Sequence, residues 1–161
     1  MVAFNAHTPT DKHPVLNQVI VFSHPVFNIG NAYNSGTGIF TAPMTGVYMF
    51  TAHFCIYSSK HWYYAFVKED EDIMVKGLMY EDATRTCASA SAVVLLRENE
   101  RLWVECKYDA GADVLYEETR AANSFSGALL HTMNEWSTWP LKTSYDINQQ
   151  VSNYWLTINI A

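Results

Sequence analysis

Residues 22–50 read FSHPVFNIGNAYNSGTGIFTAPMTGVYMF, and their spacing decides the fold. Three turn signals divide the stretch: Asn28-Ile29-Gly30-Asn31, Asn34-Ser35-Gly36-Thr37-Gly38 and Pro43 to Gly46. Asn and Gly tolerate positive φ, and Pro fixes φ while donating no hydrogen bond, so each signal reverses or ends an extended segment. After Gly46 a long run begins. Tyr48, Phe50, Ala52, Phe54 and Ile56 fall on one face at a period of two, the spacing of a β-strand. The opposite face, Val47, Met49, Thr51, His53, Cys55 and Tyr57, is mixed. That pattern predicts a sheet with one face in a core and the other partly covered.

Outward from this stretch the chain keeps the same character. Strands are predicted over Val2–Ala6, Gln18–Phe22, His61–Lys68, Ile73–Tyr80, Cys87–Leu96, Arg101–Tyr108 and Asn123–His131, and a loop over Asp109–Asp113 leads to Val114–Tyr116. Polar turns separate them, among them Glu69-Asp70-Glu71-Asp72 and Arg97-Glu98-Asn99-Glu100. His61–Lys68 and Ile73–Tyr80 are expected to form one hairpin, and Cys87–Leu96 and Arg101–Tyr108 another. In the latter, Leu102, Val104, Cys106 and Tyr108 share a face. About ten short strands and no helical period predict an all-β sandwich or jelly roll.

A chain of 161 residues suits one domain with a substantial core. A net charge of −6, with no Lys/Arg cluster, argues against a nucleic-acid binder. Apolar runs are too short for a membrane span. Met1–Ala6 lacks the basic and apolar regions of a signal peptide, which fits a cytosolic protein or a mature secreted domain carrying an added Met1. Cys55, Cys87 and Cys106 have no metal spacing and permit at most one intrachain disulfide. Cys87 and Cys106 can pair only if the register of their hairpin allows it.

The spacing Phe22-x5-Asn28-x4-Tyr33-x6-Phe40-x5-Gly46-x-Tyr48-x-Phe50 resembles the signature of the C1q globular domain, with Ala52 where the family carries a further aromatic. Val2–Ala6 resembles the family's opening strand. Ser124–Leu130 resembles its closing strand, with Ala128 in place of the usual aromatic. The resemblance covers residues 2–131 and implies a ten-stranded jelly-roll β-sandwich of the C1q/TNF type, usually trimeric. Residues 132–161 then form a C-terminal aromatic extension, expected to pack on the domain or on a neighbouring protomer. The chain lacks the Gly-x-y repeat of a collagen-like stalk. It looks most like stalkless invertebrate members, which implies a secreted carbohydrate-binding protein of pattern recognition and innate immunity. A trimeric signalling or structural ligand for a protein receptor is the alternative.

No nucleophile elbow, zinc-protease motif or phosphate loop is present, so a non-enzymatic role is expected. His53 and His61 alone do not make a zinc site. Sugar recognition couples an aromatic face to hydrogen-bonding side chains. Two clusters offer this: Trp62 and Tyr64, within His61-Trp62-Tyr63-Tyr64, and Tyr116 with Glu117, Glu118 and Arg120. Arg85 or Arg120 would clamp the carboxylate of a sialic acid or other anionic sugar. Asp109 and Asp113 flank a glycine bend and are the candidate calcium ligands. Related domains place such carboxylates near the trimer apex, although calcium wants six or more oxygens.

Overall fold

The residues that define the spacing also lock the turn over 28–33, which carries the chain from one sheet to the other. In the computed structural model, which describes residues 1–69, 73–81, 84–109, 111–118 and 121–133, Asn28 and Tyr33 clasp each other across the turn. The Asn28 amide Nδ2 donates to the Tyr33 carbonyl at 2.7 Å, and the Tyr33 N–H donates to Asn28 Oδ1 at 3.2 Å. The Tyr33 hydroxyl reaches back to Phe22, accepting from its N–H and donating to its carbonyl, both at 3.1 Å. Tyr48 donates its hydroxyl to the Met44 carbonyl at 2.6 Å. Gly46 is required because a Cβ there would lie 2.5 Å from the His131 carbonyl oxygen.

The described residues form ten strands: β1 (Ala3–Pro9), β2 (Phe22–Ile29), β3 (Tyr33–Asn34), β4 (Ile39–Thr41), β5 (Gly46–Ile56), β6 (Lys60–Lys68), β7 (Ile73–Glu81), β8 (Thr86–Leu96), β9 (Arg101–Cys106) and β10 (Ser124–Thr132). They pair antiparallel in two five-stranded sheets, ordered β2-β1-β10-β5-β8 and β3-β4-β9-β6-β7. This is the jelly-roll sandwich expected from the strand count. Tyr48, Phe50, Ala52, Phe54 and Ile56 are all fully buried, as the period of two predicts. Phe4, Phe40, Phe50 and Phe125 meet between the sheets. The Phe4 ring stacks on Tyr33 at 4.5 Å and meets Phe125 edge-on at 5.0 Å.

Three sequence expectations are corrected. Gln18–Phe22 is not a strand of its own. Ile20 and Gln18 instead extend the free edge of β9, through Ile20 N–H to Val104 O and Cys106 N–H to Gln18 O. β8 and β9 are not a hairpin, because β8 pairs with β5 in one sheet and β9 with β4 and β6 in the other. The turn between them therefore crosses from sheet to sheet, which keeps Cys87 and Cys106 apart. The disulfide joins Cys55 to Cys87, which face each other in the β5–β8 ladder with Cα atoms 4.0 Å apart. Cys106 stays a buried thiol. Finally, β9 ends at Cys106, so Tyr108 leaves the core face and turns out to the surface. The 132–161 extension lies outside the described residues from 134 onward.

Candidate functional site

Strand parity decides which aromatics of β6 meet solvent. Trp62, Tyr64 and Phe66 point between the sheets and are buried. Trp62 packs edge-on against Phe54 at 4.7 Å and donates its indole N–H to Cys106 Sγ at 3.1 Å. Tyr64 meets Phe54 at 4.7 Å, and burial pushes its phenol pKa up. Trp62 and Tyr64 are therefore core residues, and a sugar does not reach them.

The alternate residues, His61 and Tyr63, face outward and form part of an aromatic patch. Across the β6–β7 ladder His61 opposes Tyr80 and Tyr63 opposes Leu78. Tyr108 arrives from the end of β9, with its ring 4.7 Å from His61 and 5.4 Å from Tyr63. Tyr63 is 40% exposed, Tyr108 38%, Leu78 61% and Tyr80 63%. Polar groups rim the patch. The Lys107 ammonium is held by the Glu105 carboxylate and lies 3.4 Å from Asn17 Oδ1. Asp109 accepts the Gly111 N–H at 2.8 Å and contacts His13 Nε2 at 3.3 Å. These contacts, the Gly111 bond foremost, hold the Asp109 carboxyl below the usual range. The patch is legible from β6 once Trp62-x-Tyr64-x-Phe66 is assigned to the core, since Tyr63 must then lie opposite.

The second predicted cluster is partly assembled. Arg85 and Tyr116 come together from distant segments: Nη1 donates to the Tyr116 hydroxyl at 2.6 Å, and the guanidinium sits 4.2 Å from the ring centroid. Glu118 lies 3.9 Å from Arg85, and Tyr57 packs edge-on against Tyr116 at 5.0 Å. Hydrogen bonding to Glu118, then burial, raises the Tyr116 phenol pKa. Arg85 is thus already engaged by a phenol and a carboxylate. Glu117 is half-buried and its Oε1 has no hydrogen-bond partner among the described residues. The segment is pinned by buried Asn123, which accepts the Cys55 N–H at 2.8 Å and donates to the Tyr116 carbonyl at 2.9 Å. Arg120 lies outside the described residues, as do Asp70, Glu71 and Asp72 of the acidic turn. Asp113 is exposed, and among the described residues neither it nor Asp109 belongs to a group of three or more metal-ligating side chains.

The opposite sheet presents a different surface. On its outer face Asn5, Phe27, Met49, Thr51, Ser126 and Leu130 line an open groove of about 350 Å³. Asn5 Oδ1 is unpartnered there among the described residues.

The C1q domain pattern matches residues 3–130. The chain belongs to the C1q domain family. Zebrafish (Danio rerio) Caprin-2 is 30% identical over 132 residues, which cover 81% of this chain and 14% of that protein. Mouse (Mus musculus) complement C1q tumor necrosis factor-related protein 3 is 28% identical over 115 residues, covering 71% of this chain and 45% of the relative. This C1q chain thus spans less than half the length of these curated relatives. The solved globular domain of zebrafish complement 1qA superposes with a TM-score of 0.69 at 17% identity, covering 83% of this chain and all of that one. Murine APRIL superposes with a TM-score of 0.60 at 11% identity over 80% of this chain and 98% of its own. These likenesses show a shared fold. Among the described residues no helix is long and apolar enough to cross a membrane.

Proposed function

We propose that this C1q domain is a secreted carbohydrate-binding protein acting through a multivalent assembly. The observation that carries this reading is the outward patch of His61, Tyr63, Tyr80 and Tyr108, with Lys107 and Asp109 at its rim. Flat rings take up sugar C–H faces, while the amine and carboxylate take hydroxyls. The outer face of the other sheet carries the exposed apolar groups Phe27, Met49, Val93 and Leu130, which suits contact with further copies of the chain. A trimer built on that face would display three aromatic patches outward, and weak single sites would add to strong binding. Arg85, held beside Tyr116 and Glu118, is a second place for an anionic sugar, which must compete with Glu118 for the guanidinium.

A glycan array with the intact chain, repeated with Tyr63→Ala and Tyr108→Ala, tests the reading. Binding to a defined glycan group that both variants lose supports it. Wild-type binding retained by both variants refutes the site, and absence of any glycan binding refutes the function. Exposed Leu78 beside the tyrosines favours the alternative, a trimeric ligand for a protein receptor. A saturable protein partner without glycan binding would establish that role instead.

A further inference from the structure

The outer face of the β5–β8 pair holds a cluster that the carbohydrate reading leaves unused. Cys55 and Cys87 oppose each other in register, and His53 lies two residues along the same strand on the same face. His53 Nε2 is 3.6 Å from Cys55 Sγ, and its Nδ1 is 2.8 Å from the Ser89 hydroxyl. The ligand atoms of His53, Cys55 and Cys87 all lie within 4.8 Å of one another. Two ligands on a tetrahedral zinc, at about 2.3 Å for sulfur and about 2.05 Å for nitrogen, are separated by about 3.6 Å. The His53–Cys55 pair already has that separation.

We propose that reduction of the Cys55–Cys87 disulfide opens a zinc site formed by the two thiolates and His53 Nε2, with water as fourth ligand. The histidine is set for the role. With Nε2 on the metal, Nδ1–H donates to Ser89 Oγ, the outer hydrogen bond that fixes a metal-bound imidazole. Ser89 opposes His53 in the same ladder, so the strands hold both. Exposed Cys87 is open to a two-electron reductant, while Cys55 is buried. A phosphine attacks Cys87 Sγ, the S–S bond breaks, and the Cys55 thiolate leaves. Water then hydrolyses the phosphorus–sulfur bond, yielding phosphine oxide and the Cys87 thiol. Zinc displaces the thiol protons, and the sulfurs part to about 3.8 Å around it. In the disulfide neither sulfur is a thiolate, so the oxidised chain has no such site.

The test uses the full chain, oxidised or reduced with a water-soluble phosphine, titrated with zinc against a chromophoric chelator. Cobalt replaces zinc to report thiolate charge-transfer and tetrahedral ligand-field bands. The reduced protein is expected to take one zinc per chain and to melt higher with zinc than without it. The oxidised protein is expected to take none with comparable affinity. Ser89→Ala should weaken binding about 10- to 100-fold, and His53→Ala, which removes a ligand outright, should weaken it more. Cys106→Ser should leave it unchanged, since that thiol is buried in the other sheet. Equal uptake by oxidised and reduced chains, or uptake indifferent to His53→Ala, would overturn the proposal. So would a reduced chain that neither binds zinc nor gains stability from it, whether or not it stays folded.

Discussion

Tyr63 and Tyr64 are neighbours in sequence, yet the structure assigns them opposite fates. Tyr64 is 2% exposed and packs on Phe54 and Trp62, with ring centroids 4.7 and 5.2 Å away. Truncating a buried aromatic to alanine costs about 3–5 kcal/mol, from lost transfer energy plus the residual cavity. A domain of roughly 130 ordered residues unfolds with an entropy of about 0.27 kcal/mol/K, so about 4 kcal/mol lowers Tm by about 15 °C. Tyr63 is 40% exposed, and removing its ring leaves no internal void. Tyr63→Ala should cost less than about 1 kcal/mol, a shift below about 4 °C. Urea unfolding and thermal melts of the two variants measure the contrast. Glycan binding should show the reverse order, with Tyr63→Ala losing binding and keeping its fold. Similar melting shifts for both variants would refute the parity assignment, and the aromatic patch would fall with it.

Further outcomes follow from other contacts. Asn123→Ala leaves the Cys55 N–H and the Tyr116 carbonyl unpaired inside the protein, at about 1–3 kcal/mol each. Denaturant unfolding should report a total loss of about 2–6 kcal/mol, with faster amide exchange around Tyr116; a loss below about 1 kcal/mol contradicts the pinning role. Gly127→Ala places a Cβ 2.6 Å from Phe50 Cδ1 and 2.7 Å from Phe4 Cε1, so overpacking should cost about 1–3 kcal/mol in the same assay. Burial pushes the Tyr33 phenol up to about 12 from its ordinary value of 10. The unfolded phenol ionises first, so this contribution is complete below pH 10 and is lost as pH rises towards about 12. The loss approaches about 1.4 kcal/mol per pH unit. Tyr33→Phe should flatten that part of a stability–pH curve, and an unchanged slope would rule the phenol out.

The turns and the buried face within residues 22–50 were legible by themselves because their constraints are local. Asn28 and Tyr33 close a turn, Gly46 leaves room for a backbone, and the period of two sorts Tyr48 to Ile56 onto one face. The same parity rule puts Trp62, Tyr64 and Phe66 in the core and Tyr63 opposite them. From the sequence alone a sugar is expected on Trp62 and Tyr64, because proximity in sequence does not say which face of β6 is buried. What a single chain cannot encode locally is which strands become neighbours. β8 and β9 follow one another in sequence and look like a hairpin, but they lie in different sheets. That crossover set Cys87 opposite Cys55 and left Cys106 alone. Long-range pairing also brought Arg85 onto Tyr116, and the end of β9 carried Tyr108 to His61. Periodicity fixes which way a side chain points relative to its own strand. Only sheet order and register, set by burial of the whole core at once, decide what it then meets.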